Sequence, residues 1–293
     1  MRQGDPLSPL LFSTVLEKIF AYLNWEAKGI NILGKKMTNL RFADDIVLIS
    51  HSAEEMQIML NDLMQACSTV GLLPNKEKTK VMTNCSRQGG LNLQGTELEY
   101  VDNYVYLGQL VSFVDSEAEI NRRITNAWKK FWSLKDLFNM NLSKEIRKYI
   151  FDSSILPVLT YGCQTWKNWQ TSMNKITTCQ RAMERSLLRI SLLSHTRSSV
   201  IRSQTGFEDA MQKAKGLKWD WAGHIYRLQA DRWTKLLTEW VPYGSTRRVG
   251  RQQKRWRDEI YQFCPNYNVL ANNRSEWKEK GNNFKISQGE AFR

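Results

Sequence analysis

Leu40-Arg41-Phe42-Ala43-Asp44-Asp45-Ile46-Val47-Leu48-Ile49 sets two short apolar runs on either side of a pair of adjacent carboxylates. Each run has strand length and β-branched content, and Asp-Asp has turn chemistry. The stretch, extended back to Met37, therefore predicts a tight hairpin with both acids at its tip. Two carboxylates so close repel each other unless a cation lies between them or one takes a proton. Mg²⁺ prefers oxygen ligands and takes one or two protein carboxylates together with substrate phosphates. An isolated Asp-Asp is more often just a polar turn. The neighbouring stretches decide which reading applies.

The chain has 293 residues, 42 % of them hydrophobic, enough for one large or two modest cores. Cys67, Cys85, Cys163, Cys179 and Cys264 form no Cys-x-x-Cys pair and have no histidine at zinc-ligand spacing. An odd count at this length argues against a disulfide framework and for a reducing, intracellular setting. No signal peptide opens the chain, and no apolar run approaches membrane-spanning length. The net charge of +13 is unevenly distributed. Residues 1–120 hold 10 Lys and Arg against 15 Asp and Glu, whereas residues 121–293 hold 32 against 14. An acidic part joined to a strongly basic one suits metal chemistry beside polyanion binding. A merely solvated basic surface is the plainer alternative.

Upstream of the hairpin, Asp5-Pro6-Leu7 is a turn. Ser8 suits a helix N-cap and Pro9 the first helical position. Leu11, Val15, Leu16, Ile19, Phe20 and Leu23 follow at helical spacing. Downstream, Ser52-Ala53-Glu54-Glu55 is a capping box for a helix burying Met56, Met59, Leu60, Leu63, Cys67 and Val70, with Gly71 as its C′ residue. Residues 71–82 form a loop, carrying Lys78, that leads into a strand. Residues 84–95 read as a polar loop, and Tyr104 to Val111 as a hairpin strand.

Helices follow. Ser116 and Glu119 make a capping box. Ile120, Ile124, Ala127, Phe131, Leu134 and Phe138 form a buried stripe, leaving Arg122, Arg123, Lys129 and Lys130 on other faces. Ser143 opens a helix expected to stop before Pro157. A helix over residues 172–190 aligns Arg181, Arg185 and Arg189 in a basic row, a candidate phosphate contact. Residues 207–240 are helical and rich in tryptophan. Arg247, Arg248, Arg251, Lys254, Arg255 and Arg257 flank Trp256 in a basic segment suited to single-stranded nucleic acid. The last thirty residues read as a frayed polar tail. No internal repeat is present. The fold class is α+β.

Taken in order, these stretches closely resemble the second half of a non-LTR (LINE-type) retrotransposon reverse transcriptase. Arg2-Gln3-Gly4-Asp5-Pro6-Leu7-Ser8-Pro9 is similar to the family's motif B, and Phe42-Ala43-Asp44-Asp45 to its metal-binding motif C. Gly71-Leu72, Asn75 and Lys78-Thr79 resemble motif D, and Tyr104 with Tyr106-Leu107-Gly108 the primer grip of motif E. Leu217-Lys218-Trp219 with Trp221-Ala222-Gly223-His224 looks like the C-terminal region of endonuclease–reverse transcriptase polyproteins, as does Arg247-Arg248 through Trp256.

The resemblance implies a partial palm with an antiparallel sheet and packed helices (1–113). It also implies a helical thumb (114–170), a basic helical region (171–263) and a polar tail (264–293). Asp44 and Asp45 would bind Mg²⁺ or Mn²⁺, and Lys78 would face the pyrophosphate as proton donor. Gln3, Gly4, Ser8 and Phe42 would line the nucleotide and template side, while Tyr106, Leu107 and Gly108 hold the primer. The implied partners are an RNA template, a DNA primer and deoxynucleoside triphosphates, with no membrane. Motif A, which carries a further metal-binding Asp, and the fingers precede motif B in the family. The chain alone is therefore expected to be inactive, with nucleic-acid binding by its basic helices as the alternative function.

Overall fold

The computed structural model describes residues 5–86, 89–115, 117–166, 169–241 and 255–287. The described residues divide into two compact units, the first comprising those up to Tyr104 together with Trp240 and Val241, the second Val105–Glu239 and the described residues from 255 on. Among the described residues no helix is long and apolar enough to cross a membrane.

The first unit opens with α1 (Ser8–Tyr22). Ser8 is its first helical residue rather than its cap. Leu7 is the N-cap and lends no side-chain bond, and the turn before it is held by Asp5, whose carboxylate accepts the Leu7 N–H at 3.0 Å and whose carbonyl accepts the Ser8 N–H at 3.2 Å. Leu16 and Ile19 are buried, whereas Leu11 and Val15, expected inside, are exposed. A hairpin of β1 (Ile30–Ile32) and β2 (Lys35–Met37) precedes the hairpin of β3 (Asn39–Phe42) and β4 (Asp45–Leu48). Next comes α2 (Ala53–Ser68), where the Ser52 hydroxyl accepts the Glu55 N–H at 3.1 Å as the capping box requires. Beyond it, Leu72 N–H bonds Cys67 O and Gly71 N–H bonds Ser68 O, a Schellman ending with Gly71 (φ 75°) at C′. Val70 is exposed, outside the expected stripe. Short strands complete the unit: β5 (Lys80–Val81), β6 (Asn92–Leu93), β7 (Thr96–Glu97) and β8 (Glu99–Tyr100). Here β5 and β8 pair in parallel, and β6, inside the expected polar loop, forms a hairpin with β7 just beyond it. Buried Leu91 and Leu93 explain why that segment is not simply loop.

The core of this unit is Leu16, Ile19, Trp25, Met59, Leu63 and Cys67, with Ile46 and Leu48 of β4 packed against it. Ile46 and Leu48, half-buried, pack against this core, and a one-residue slip of the hairpin would turn them away from it.

Strand β9 (Asn103–Tyr106) pairs with β10 (Gln109–Ser112). The second unit is otherwise helical. In order come α3 (Ala118–Ser133), α4 (Lys135–Asn139), α5 (Lys144–Ile150), α6 (Leu156–Leu159) and α7 (Trp169–Leu188). Then follow α8 (Ser198–Thr205), α9 (Ala210–Arg227), α10 (Trp233–Glu239), α11 (Asp258–Phe263), α12 (Tyr267–Leu270) and α13 (Arg274–Ser287). The helix begun at Ser143 does not stop at Pro157. A π-helical turn, Phe151–Ile155, joins α5 to α6, whose first turn holds the proline. There Leu156 N–H reaches back to Phe151 O, and the widened turn relieves the proline's clash with the preceding turn.

One core gathers the predicted α3 stripe with Phe151, Leu156, Met173, Ile176 and Met183. A second gathers Trp219, Tyr226, Ile260, Tyr267, Trp277 and Phe284. This second core corrects the expected frayed tail, because Trp277 and Phe284 recur at helical spacing and bury against α9.

Candidate active site

The register of β3 and β4 pairs Phe42 with Asp45 and Arg41 with Ile46, leaving Ala43 and Asp44 as the connecting turn. Ala43 sits at φ 51°, the left-handed conformation that a two-residue hairpin demands. Ile46 and Leu48 face the helices, and so does Arg41, whose guanidinium lies 4.3 Å from the Phe20 ring and 3.3 Å from Glu17. Strand alternation then puts Asp45 on the opposite face, beside an exposed Phe42. Asp44 and Asp45 are both exposed, and neither has an ion-pair partner among the described residues. Adjacent oxygen donors with uncompensated charge fit a hard divalent cation. Among the described residues, no group of three His, Cys, Asp or Glu gathers at one metal position.

The loop bearing Lys78 is fixed through its backbone. Asn75 Oδ1 accepts the Lys78 N–H at 3.1 Å, and Asn75 O accepts the Thr79 hydroxyl at 2.7 Å. Tyr104 donates its hydroxyl to Lys78 O at 3.3 Å, tying the start of β9 to this loop. The Lys78 side chain is exposed. Ser8 lies half-buried in the first turn of α1; Gln3 and Gly4 lie outside the described residues.

Between β9 and β10 the chain turns at Leu107 (φ 47°) and Gly108 (φ 74°). Gly108 O accepts hydrogen bonds from Arg122 at 3.0 Å and from Arg123, and Leu107 O accepts the Tyr161 hydroxyl at 2.9 Å. Glu119 accepts the Leu110 N–H at 2.7 Å and pairs with both Arg122 and Arg123. The Arg123 guanidinium also stacks 4.4 Å from the Tyr161 ring. The turn is thus bolted to α3 and to the segment after α6. Tyr106 is half-buried beside it.

Two of these anchors were not legible as such. Ser116 lies outside the described residues, but Glu119, expected to cap α3 with it, sends its carboxylate to Leu110 and the arginines instead. Arg123, expected on an outer face, is buried. The available signal was the Glu119-to-Arg122 and Glu119-to-Arg123 spacing, which places acid and bases on one helix face.

The expected basic row does not form. Arg181 pairs with Glu184 at 2.6 Å and Asp209 at 2.5 Å, and Arg185 donates to Thr196 O at 3.1 Å. Arg189, exposed, lies beyond the end of α7 in a left-handed conformation. Arg181 is consumed because Asp209, which caps α9, lies against it. Burial pushes the Glu184 carboxyl above its ordinary pKa, only partly opposed by Arg181. Arg247, Arg248, Arg251 and Lys254 lie outside the described residues, while Arg255 and Arg257 are half-buried. Trp256 donates its indole N–H to Gln164 O at 2.6 Å and packs against Lys218, so it is docked rather than displayed for stacking.

The sequence model of the family described as reverse transcriptase (RNA-dependent DNA polymerase) matches residues 1–111. The chain belongs to the reverse transcriptases of non-LTR retrotransposons. It is 35 % identical over 264 residues to a transposon-derived protein of Caenorhabditis elegans, covering 83 % of this chain and 95 % of that protein. It is also 35 % identical over 122 residues to the Pol polyprotein of the type-1 retrotransposable element R2 of Nasonia vitripennis, covering 37 % of this chain and 12 % of the polyprotein. For the R2 polyprotein of Popillia japonica the identity is 27 % over 180 residues, covering 56 % and 28 %. The chain therefore spans nearly all of the nematode protein and a minor part of the R2 polyproteins. The family match runs almost to the end of β10, so the Leu107–Gly108 turn belongs to the polymerase region although helices of the second unit hold it.

Proposed function

We propose that Asp44 and Asp45 supply metal ligands for RNA-directed DNA synthesis. The observation that carries this reading is two adjacent, exposed carboxylates, without an ion-pair partner among the described residues, on a hairpin packed against the core. Bound Mg²⁺ or Mn²⁺ would supply charge neutralisation for a nucleoside triphosphate and its leaving pyrophosphate. Lys78, on a loop pinned by Asn75 and Tyr104, presents its ammonium toward the pyrophosphate and gives it a proton. Phe42, Ser8, Gln3 and Gly4 line the nucleotide and template side. Tyr106, Leu107 and Gly108 hold the DNA primer, and the helices that follow carry the template–primer duplex. The four buried thiols suit an intracellular, reducing setting.

Two carboxylates make an incomplete set for a two-metal clamp, so the 293-residue chain alone is proposed to be a poor polymerase. Primer extension on an RNA template with Mg²⁺ tests this directly. Extension by the isolated chain should be absent or very slow. Robust extension abolished by Asp44→Ala would refute the inactivity and keep the metal assignment. Robust extension that survives Asp44→Ala would refute the metal assignment as well.

A further inference from the structure

The hairpin that carries Asp44 and Asp45 is fastened differently on its two strands. Residues directly opposite each other share a face, so the inward pairs are Asn39 with Leu48 and Arg41 with Ile46. On β4, Ile46 and Leu48 pack against the core. On β3, the last inward side chain before the turn is Arg41, one position from Phe42, which pairs with Asp45 across the strands. At the far end, Ile49 N–H bonds Thr38 O at 2.8 Å and closes the ladder. At the near end, a charged side chain fastens β3 where a face turned to a core ordinarily carries an apolar one.

The Arg41 guanidinium lies 4.3 Å from the centroid of the Phe20 ring and 3.3 Å from Glu17. Phe20 is itself held: its ring meets Trp25 edge-on at 5.8 Å, and Trp25 is buried. Trp25 donates its indole N–H to Asp62 of α2 at 3.0 Å, and Lys28 pairs with the same carboxylate at 2.6 Å. The Lys28 bond, then the Trp25 bond, hold the Asp62 carboxyl below its ordinary pKa. Helices α1 and α2 thus present Phe20 as a fixed platform. Glu17 is largely exposed, so its ion pair adds little. The flat guanidinium on the ring is the contact that orients β3.

Taking Asp44 and Asp45 as metal ligands, as proposed above, we propose that Arg41 is a positioning residue for them. It holds the tip of β3 on Phe20, so that the two carboxylates stand ready for a divalent cation. Charge alone and positioning make opposite predictions. A cation close to two carboxylates repels Mg²⁺ or Mn²⁺, so on charge alone removing Arg41 strengthens metal binding. If Arg41 holds the hairpin, removing it weakens metal binding, because the carboxylates must then be ordered at the moment the metal arrives.

Mn²⁺ alone is the probe, because its paramagnetism broadens the amide signals of residues close to it. In a titration of the isotope-labelled full chain, the signals of residues 43–46 should broaden, and Asp44→Ala should abolish that broadening. If the unaltered chain shows none, or if the broadening survives Asp44→Ala, the metal assignment fails and the role of Arg41 with it. Arg41→Met keeps the aliphatic stem without the guanidinium and should weaken Mn²⁺ at the hairpin about fivefold. Arg41→Lys keeps the charge and loses the flat stacking surface, so its expected loss of about twofold owes nothing to net charge. Circular dichroism of both variants should match the unaltered chain. Equal or tighter Mn²⁺ binding by folded Arg41→Met, with the broadening still abolished by Asp44→Ala, would overturn the role of Arg41 and keep the metal assignment. Should Arg41→Met fail to fold, Arg41→Lys decides alone, and unchanged affinity there overturns the proposal.

Discussion

Asp44 and Asp45 show how little a residue pair says without its surroundings. Both are exposed, and only the β3–β4 register and the core under Ile46 and Leu48 make them a fixed pair of oxygen donors. The cysteines show the reverse, a residue property set wholly by burial. Loss of water pushes the Cys163 and Cys179 thiols up to about 12, and Cys67 upward too. A raised thiol pKa means less thiolate at any working pH, and the thiolate is the nucleophile. Exposed Cys85 should therefore react fast with a disulfide reagent at pH 8, with Cys163 and Cys179 reacting only after unfolding. Rapid modification of more than one thiol in the folded chain would contradict this burial pattern.

At the scale of elements, the Leu107–Gly108 turn matters most. Its carbonyls are capped by Arg122, Arg123 and Tyr161, and Glu119 holds both arginines while taking the Leu110 N–H. Gly108 is favoured by φ 74°, and a Cβ there would also stand 3.2 Å from the Tyr161 hydroxyl, which would have to shift. Removing one partner of a buried charge cluster leaves the other uncompensated. Glu119→Ala should therefore destabilise the second unit by about 3–5 kcal/mol in urea unfolding. A loss within about 0.5 kcal/mol, the range of ordinary surface changes, would show that the cluster does not hold the turn. Helix positions and the α3 stripe were legible because apolar residues repeat every three to four positions. The roles of Glu119 and Arg123 were not, because they depend on a turn that precedes them in sequence and on Tyr161, which follows far downstream.

At the scale of the molecule, two units each own a core. Unfolding monitored by far-ultraviolet dichroism should resolve into two transitions, and the Glu119→Ala variant should move only one of them. A single transition shifted as a whole would mean that the units unfold together. The order of motifs, the α+β class and the position of the adjacent Asp44–Asp45 pair at a hairpin turn were all determined by the sequence alone, since local turn chemistry, side-chain periodicity and short-range spacing carry them. Three matters were decided only by tertiary structure: that Arg181 is spent on Glu184 and Asp209, that Trp256 is docked, and that the C-terminal helix closes a core. The physical reason is common to all three. A side chain's charge or ring is available to a ligand only when no nearer partner in the folded chain has claimed it, and those partners lie far away in sequence.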